Sequence, residues 1–272
     1  IGSDNISDIC QDGSGNIWIA TRDAGIRSIN LNTGSITSYT VRERNISSDN
    51  VTSIIYAGNN RIIAGTTNGV TIIELNTHQI KVLRGTESGA VSFSSNSISQ
   101  VAVDKRGRLW VATHDGLNVL SPDLKELHVV NTGVGIASNM IRSVVEDKNH
   151  NVWVSTTAGI SKISVSGDEF SKLKFSVSNY DVSDGLISGD FNNRAVCVTK
   201  NGRILFGGST GVNTVLASSV KSMANYSPRV FFTQLYIHGD EVVIGRNYSG
   251  HVILPEALSE IGKITLKNSQ NT

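Results

Sequence analysis

Short apolar runs separated by turn residues recur from one end of the chain to the other. The runs are four to six residues long and rich in Ile and Val, as in Ile17–Ala20 and Leu109–Ala112. Runs of this length and composition are typical of buried β-strands, and Gly, Asn and Asp between them favour tight turns. No stretch of the sequence shows a sustained helical period with capping residues. The pattern therefore predicts an all-β chain.

The predicted strands belong to five copies of one unit. Three copies share an Asn-x-Ile opening, an Asp at the following turn, a strand centred on Trp and a closing Gly-Ile or Gly-Leu: residues 5–26, 96–117 and 139–160. Degenerate copies cover residues 50–70 and 191–212. The closing glycines, spaced by 44, 47, 43 and 52 residues, are Gly25, Gly69, Gly116, Gly159 and Gly211. A period of about 40–50 residues built from short strands predicts the blades of a β-propeller.

Each copy predicts four antiparallel strands. A hairpin such as Asp12–Gly15 joins the first two strands, and the closing glycine begins the third strand with a positive φ angle. A fourth, outer strand follows, as at Ile36–Val41 and Glu126–Val130. An aromatic ring in the middle of the second strand can fill the space between neighbouring blades. The residues at this position are Trp18, Trp110 and Trp153.

The sequence predicts a propeller over residues 1–227 and a second β module over residues 228–272. The predicted blades are residues 1–45, 46–91, 92–135, 136–184 and 185–227. The strands predicted for the second module are Arg229–Ile237, Glu241–Ile244, Val252–Leu254 and Lys263–Leu266. A propeller avoids exposed sheet edges by closing its ring, and the sequence supplies no closing strand. We therefore expect these five blades to belong to a wider ring, cut from a longer chain; the alternative is a complete five-bladed ring.

Composition and charge exclude some classes of protein. The 272 residues include 24 Lys and Arg against 23 Asp and Glu, which leaves a net charge of +1. This balance gives no strong field for nucleic acid or anionic lipid, so we expect the segment to bind no nucleic acid. No apolar run approaches the ~20 residues that span a bilayer. The N-terminal residues have neither the basic nor the apolar region of a signal peptide.

The three Trp-bearing copies resemble the two-component regulator propeller repeat. Two other stretches extend this resemblance. Asp184–Ala195 with Phe206–Gly208 is similar to the last blade of such propellers, and Pro228–Gly239 is similar to the opening of the β-sandwich that follows them, the Y_Y_Y domain. Residues 50–70 depart from the repeat because they lack the Trp and the Asp-led turn. The resemblance covers nearly the whole chain, and it implies that the chain contains about five blades of a seven-bladed propeller.

The resemblance implies a sensor. Members of this family are periplasmic regions of hybrid two-component sensor histidine kinases, many from gut bacteria that degrade polysaccharides. The segment would detect an oligosaccharide and relay the signal across the membrane to control transcription. It would have no enzyme activity of its own, and only a transmembrane helix outside it would enter the membrane. We expect no cofactor, and we expect a homodimer, since a second copy would protect the open edges of a partial ring.

Several motifs that could carry chemistry have a simpler explanation. Gly207–Gly211 matches G-x-S-x-G, but the repeat places it at a turn between strands, not at the strand–turn–helix of a hydrolase. Asp12–Asn16 lacks the Glu and the number of ligands of a calcium loop, and the six His never fall at metal-ligand spacing. Cys10 and Cys197 occupy the same column of different blades and are predicted to be unpaired, buried thiols.

One face of the propeller is predicted to bind the ligand. The loops between blades and the turns between second and third strands share this face, and their side chains differ from copy to copy. The hairpins on the other face are uniformly Asp, Lys, Asn and Gly. Varied polar groups on rigid strand ends can form a recognition site. The candidate ligand-binding residues are Arg22, Asp23, His114, Asp115, Arg142, Asn193 and Arg194.

Two other functions stay open at this point. A propeller enzyme, either a polysaccharide lyase or a glycosidase, would need acidic or His, Tyr and Arg groups that converge on the central channel of the same face. A protein-interaction scaffold would need a large apolar patch on the rim. The fold alone does not choose among these functions.

Overall fold

A computed structural model of the chain describes residues 2–85, 91–217, 233–258 and 261–266. The chain divides into two compact units, Ile1–Val220 and Lys221–Thr272. The first unit holds five antiparallel sheets, and within each sheet every strand pairs with the strand that follows it in the chain. Each sheet is one propeller blade. The prediction of an all-β propeller is therefore confirmed.

The strands follow the repeat. Blade 1 contains β1 (Ile6–Gln11), β2 (Ile17–Thr21), β3 (Ile26–Ile29) and β4 (Ile36–Tyr39). Blade 2 contains β5 (Val51–Tyr56), β6 (Arg61–Thr66), β7 (Gly69–Glu74) and β8 (Ile80–Leu83). Blade 3 contains β9 (Ile98–Val103), β10 (Leu109–Thr113), β11 (Gly116–Leu120) and β12 (Leu127–Val130). Blade 4 contains β13 (Ile141–Glu146), β14 (Val152–Thr156), β15 (Gly159–Ser166) and β16 (Lys174–Tyr180). Blade 5 contains β17 (Phe191–Val198), β18 (Arg203–Gly208) and β19 (Gly211–Leu216).

Helical structure in the described residues is brief. A four-residue helix, α1 (Val41–Arg44), follows blade 1. Two 3₁₀ turns, Phe170–Lys172 and Val182–Asp184, lie inside and after blade 4. No helix among the described residues is long and apolar enough to cross a membrane.

The hydrophobic core lies between the blades. The first strands pack on one another in the order β1, β5, β9, β13 and β17, so the later strands of each blade lie farther out. Each blade-to-blade interface has its own cluster of buried residues, and Trp110, Leu117 and Ile141 belong to the cluster between blades 3 and 4. Trp18 and Trp153 are buried in two other interfaces. The three Trp rings therefore fill space between blades, as predicted.

A buried carboxylate holds each Trp in place. Trp110 Nε1 donates to Asp104 Oδ2 over 2.8 Å, and Trp153 Nε1 donates to Asp147 Oδ2 over 2.8 Å. The same pair recurs in blade 1, where Trp18 donates to Asp12 over 2.9 Å. A buried indole N–H needs an acceptor. The Asp that opens each hairpin therefore also fixes the ring that the next blade packs against.

Close backbone approach requires a glycine at three of the five closing positions, Gly25, Gly69 and Gly159. Gly69 has φ 104°, and a Cβ there would lie 2.4 Å from the carbonyl oxygen of Leu83 at the end of the outer strand. Gly159 has φ 118°, and its Cβ would lie 2.3 Å from the carbonyl oxygen of Tyr180. The Gly69 N–H donates to the Asn96 carbonyl in the linker to blade 3, over 2.8 Å. One residue thus joins the second strand, the outer strand and the next linker.

The two outermost blades each have an uncovered apolar face. On blade 1, Ile6, Ile9 and Ile36 are 51%, 59% and 54% exposed, and on blade 5 Val212 and Leu216 are 57% and 38% exposed. Between neighbouring blades, positions on such faces are buried in the interface clusters. In the described part of the chain, no further blade therefore covers the free face of blade 1 or the free face of blade 5.

The two cysteines show what a covered face changes. Both are unpaired; Cys10 lies opposite Trp18 in its sheet, and Cys197 lies opposite Leu205 in the same register. Cys10 is half-buried against the cluster between blades 1 and 2. Cys197 is exposed, so the prediction that it is buried is wrong. The physical reason is that, among the described residues, no sheet covers this face of blade 5.

The second unit is a small β module. Its strands are β20 (Tyr236–Ile237), β21 (Asp240–Glu241), β22 (Asn247–Tyr248) and β23 (His251–Val252), which form two hairpins. Val242, Ile253 and Leu254 form its buried cluster. Residues 263–266 form no strand, so that prediction is wrong: these residues pair with no other strand in the described part of the chain. Residues 229–232 of the predicted first strand lie outside the described residues, and the sandwich stays a prediction.

Candidate functional site

Threonine side chains fix the turns between second and third strands. In blades 1–4 a Thr Oγ1 donates to the carbonyl of the closing glycine over 2.8–3.0 Å. The same oxygen accepts a backbone N–H from the turn, at 3.0 Å in each blade. These residues are Thr21, Thr66, Thr113 and Thr156. The predicted ligand residues on these turns therefore project from a backbone that is held at both ends.

The linkers between blades are fixed in a similar way. A side chain at the second position after each closing glycine accepts a linker N–H over 2.8–3.0 Å. The accepting residues are Thr71, Asn118, Ser161 and Asn213. Arg27 occupies the corresponding position of blade 1, where its Nη1 donates to the carbonyls of Ala24 and Ile26. The linkers and the turns together form a rigid polar face.

The inner strands carry polar side chains that bind the neighbouring blade. Asp8, Ser53 and Gln100 each accept the backbone N–H of a residue in the next inner strand, over 2.9, 3.3 and 2.8 Å. A cavity of about 520 Å³ opens beside them and is lined by these three residues, by Arg194 and by Tyr56, among others. The central channel is therefore polar where the blades meet.

Arg142 and Asn193 meet at the mouth of this channel. Arg142 Nη1 lies 3.4 Å from Asn193 Oδ1, and Arg142 Nη2 lies 3.6 Å from Asp190 Oδ1. Arg142 Nε is buried and has no hydrogen-bond partner among the described residues. The contacts to Asn193 and Asp190 are long for charged hydrogen bonds. The guanidinium thus keeps donor capacity that the protein does not use.

Arg194 reaches from blade 5 to blade 1. It has φ 60° and lies in the irregular segment between the paired residues Phe191 and Val196. Its Nη1 donates to the Ser7 carbonyl and lies 3.6 Å from Asp8 Oδ2. Because of this contact, a side chain of the predicted ligand face also connects the two outermost blades.

The charge of Arg194 is influenced by its surroundings. Burial of the guanidinium lowers the pKa of Arg194, the Asp8 carboxylate opposes that shift, and the positive charge of Arg22 lowers the pKa further. An arginine nevertheless stays charged near neutral pH. The channel mouth therefore holds fixed positive charges at Arg22, Arg142 and Arg194 beside two carboxylates.

The other predicted ligand residues lie apart from this group. Asp115 accepts a hydrogen bond from Asn139 Nδ2 over 2.9 Å, and His114 is exposed. Asp23 is exposed as well. Among the described residues, no hydrogen bond or ion pair joins His114, Asp115 or Asp23 to the arginines at the channel mouth. The structure thus brings Arg142 and Asn193 together, and it separately places Arg194 beside Ser7 and Asp8 with Arg22 near it.

Sequence reasoning missed Asp8 and Gln100. A signal for them exists in the repeat: the third residue of the first strand is polar in all five blades, and an apolar residue follows it in blades 1–4. The other motifs give no further site. Ser209 and Thr210 form a two-residue turn between β18 and β19, and no group of three His, Cys, Asp or Glu in the described part of the chain could hold a metal ion.

Comparison with known proteins places the repeat in a family. The model of the two component regulator propeller matches residues 1–23, 92–115 and 135–158, which include parts of blades 1, 3 and 4. Histidine kinase P4 of Formosa agariphila is 34% identical over 70 residues, which is 26% of this chain and 5% of the kinase.

Solved structures extend the similarity to the fold. The extracellular domain of the hybrid two component system BT3049 from B. thetaiotaomicron is 27% identical with a TM-score of 0.72, over 91% of this chain and 32% of that one. The extracellular domain of BT4673 from the same organism is 18% identical with a TM-score of 0.61, over 77% of this chain and 27% of that one. Virginiamycin B lyase from Staphylococcus aureus is 14% identical with a TM-score of 0.59, over 79% of this chain and 67% of the lyase. The last two share the fold, and this chain spans about a third of the first structure.

The sheet topology defines a β-propeller, and its central channel is polar. The model of the two component regulator propeller matches parts of its three Trp-bearing blades. The fold is similar to that of the extracellular domain of a hybrid two component system. The predicted family resemblance is thereby confirmed.

Proposed function

We propose that this segment is the periplasmic ligand-sensing region of a hybrid two-component sensor and that its ligand is an oligosaccharide. The observation that carries the proposal is the contact of Arg142 with Asn193 at the channel mouth of a propeller that resembles such a region, with Arg194 next to Asn193 in the sequence. The segment has no catalytic role in this proposal. The kinase activity belongs to the rest of the full-length protein.

The chemistry of the channel mouth suits a polyhydroxylated ligand. Guanidinium and amide groups donate hydrogen bonds in fixed directions, and Asp8 and Asp190 can accept them from sugar hydroxyls. The cavity of about 520 Å³ beside Arg194 lies within the range of ~300–1,000 Å³ for small-molecule sites. Arg142 Nη1 and Nη2 make only long contacts, 3.4 Å to Asn193 and 3.6 Å to Asp190, so they can still donate to such a ligand.

Ligand binding at this mouth would act on the arrangement of the blades. Arg142 belongs to blade 4, and Arg194 belongs to blade 5 and holds Ser7 of blade 1. A ligand that binds one arrangement of these residues more tightly shifts the population towards it. We propose that this shift is the signal that the rest of the protein relays across the membrane.

The proposal is tested by isothermal titration calorimetry of the 272-residue segment with oligosaccharides released from plant, algal and host polysaccharides. The variants Arg142→Ala and Asn193→Ala should each weaken binding by at least about tenfold, because a charged or buried hydrogen bond is lost. His114→Ala, on a separate turn, is the matched control and should bind as the wild type does. Wild-type affinity in Arg142→Ala would contradict the proposed location.

A lyase or glycosidase is the second candidate function, because the fold is shared with virginiamycin B lyase. Asp8 and Asp190 lie at the channel mouth, but each already lies 3.6 Å from an arginine nitrogen. We expect no release of reducing or unsaturated ends when the segment is incubated with the polysaccharides. Turnover that is lost in Asp8→Asn or Asp190→Asn would favour the enzyme instead.

A further inference from the structure

A second cavity lies on the face opposite the channel mouth. It has a volume of about 310 Å³ and lies between blades 1 and 2. Trp18 and Tyr39, with ring centroids 5.2 Å apart, form its base. Turn residues from both blades form its walls, including Asn30 of blade 1 with Asn76 and His78 of blade 2.

In the interface between blades 2 and 3, and in the interface between blades 3 and 4, side chains fill the place that corresponds to this cavity. The six-residue turn between third and fourth strands is closed by the same hydrogen bond in blades 2 and 3, from Glu74 N–H to the Gln79 carbonyl and from Ser121 N–H to the Glu126 carbonyl. In blade 3 this turn buries Leu124 in the cluster with blade 2. In blade 2 it presents polar side chains instead.

Blade 1, on the other side of the cavity, also differs from its counterpart, which is blade 3 in the interface between blades 3 and 4. In blade 3, Val119 pairs with Trp110 and with His128, and the His128 ring packs 4.9 Å from the Phe170 ring of blade 4. The same register in blade 1 holds small polar residues, since Ser28 pairs with Trp18 and with Thr37. The interface between blades 1 and 2 thus carries the short polar side chains Ser28 and Thr37 where the interface between blades 3 and 4 carries Val119 and His128.

The lining favours an uncharged polar ligand. Besides Ser28 and Thr37 it carries the amides of Asn60 and Asn76, and the described residues place no Lys or Arg in the lining. The carboxylate of Asp12 already accepts hydrogen bonds from Ser14 N, Asn16 N, Asn16 Nδ2 and Trp18 Nε1. Hydroxyls and amides with an aromatic base bind sugar hydroxyls and C–H faces without charge.

We propose that the cavity between blades 1 and 2 binds a neutral saccharide of one or two sugar units. The choice of saccharide rests on the proposed function, whereas the location rests on the contrast between interfaces. The volume of about 310 Å³ lies at the lower end of the range for small-molecule sites, about 300 Å³, which limits the ligand to this size. The site is separate from the channel mouth and would make the propeller bivalent for a glycan.

The experiment is saturation-transfer NMR of the 272-residue segment with methyl glucoside, methyl galactoside, cellobiose and, as the anionic member, methyl glucuronide. Asn76→Leu and Thr37→Phe place apolar side chains in the lining of the cavity. Each should weaken binding of the neutral probes by at least about tenfold. His128→Thr, which changes the corresponding place in blade 3, is the matched control and should leave binding unchanged.

Arg142→Ala separates the two proposals, because it should abolish binding at the channel mouth and leave the binding of the neutral probes intact. Neutral probes that bind equally to wild type, Asn76→Leu and Thr37→Phe would overturn the location. Binding of the glucuronide alone, or of no probe, would overturn the ligand class, while a positive calorimetric result at the channel mouth would still support the proposed function. Circular dichroism melting checks that both cavity variants are folded, and either folded variant suffices for the comparison.

Discussion

Trp153 shows how much one residue of the repeat depends on another. Its ring is buried between blades 4 and 5, and its Nε1 has one acceptor, Asp147, whose Oδ1 accepts two backbone N–H groups of the hairpin. The carboxylate therefore satisfies a buried donor and a tight turn at the same time. Removing it leaves the indole N–H buried without a partner, and that desolvation has a larger cost than the net value of the hydrogen bond.

Asp147→Ala should lower the free energy of unfolding by about 1–3 kcal/mol, because a buried donor is left unsatisfied. Asp115→Ala, on an exposed turn, should change it by less than about 0.5 kcal/mol. Urea unfolding followed by Trp fluorescence measures both. Equal effects of the two substitutions would show that the Asp–Trp pair has no special role.

The pKa of Asp12 makes a prediction about pH. Burial opposes ionisation of Asp12, but hydrogen bonds from Trp18, Asn16 and Ser14 outweigh burial and hold the pKa of Asp12 below its ordinary value of 3.8. A group with a lower pKa in the folded state stabilises the fold above its unfolded pKa, and this contribution is lost as pH falls through the folded pKa. Asp12→Asn should therefore cost more stability at pH 7 than at pH 3 in urea titrations. Asp23→Asn, on an exposed turn, is the control.

Thiol labelling should distinguish the two cysteines. Burial raises the pKa of Cys10 to about 12, and Asp8 and Asp12 add to the shift. Because the thiolate is the nucleophile, roughly a thousandfold fewer Cys10 side chains are reactive than at the usual pKa. Iodoacetamide at pH 8 followed by peptide mass spectrometry should label Cys197 first. Labelling of Cys10 at the same rate would contradict the packing of blade 2 over it.

At the scale of the element, a glycine and a threonine fix one turn in each of blades 1–4. The positive φ angle alone does not explain the glycine, since Gly34 has φ 71° with nothing within 4 Å of an added Cβ. Gly69 has both the φ angle and a backbone oxygen at 2.4 Å. A substitution at Gly34 therefore introduces backbone strain alone, whereas a substitution at Gly69 introduces both backbone strain and a steric clash.

Gly34→Ala should destabilise the propeller by about 1–2 kcal/mol through backbone strain alone. Gly69→Ala should cost clearly more, because the Leu83 carbonyl has to move and the outer strand β8 with it. Thermal melting by circular dichroism compares the two variants. Equal melting temperatures would mean that the outer strand moves at no cost.

Most elements could be predicted from the sequence because the repeat occurs five times, so that the same pattern can be compared between copies. Strand identity, the buried Trp positions and the glycine turns follow from residues that each copy shows again. The contact of Arg194 with Ser7 could not be predicted, since it depends on the irregular segment before Val196 that occurs in blade 5. The exposure of Cys197 depends on whether another sheet covers its blade. The residues around Cys197 in the sequence do not indicate whether such a sheet is present.

At the scale of the whole molecule, the uncovered faces of blades 1 and 5 stand out. They carry apolar residues of the kind that other blades bury, including Ile9 and Val212. Exposed apolar surface of this kind marks an interface. Further blades of a larger ring and a second copy of the segment are the two occupants that the sequence predicts.

The isolated segment should self-associate through these faces, and Ile9→Lys with Val212→Lys should convert it to a monomer without lowering the melting temperature. Light scattering after size exclusion measures the mass, and the double variant Lys105→Glu with Arg106→Glu on a hairpin serves as the control. A wild-type segment that is monomeric at high concentration would contradict the homodimer.

Every sheet in the first unit is made from one uninterrupted stretch of sequence, and no strand is lent to a neighbouring blade. A gene can therefore gain or lose one such stretch by duplication or deletion without leaving any sheet incomplete. Such a duplication or deletion would instead disturb contacts between blades, because new side chains would meet at the junction. The contact of Arg194 with Ser7 is an example of a contact of this kind. Changes in ring size would consequently be easier to tolerate than changes within a single blade.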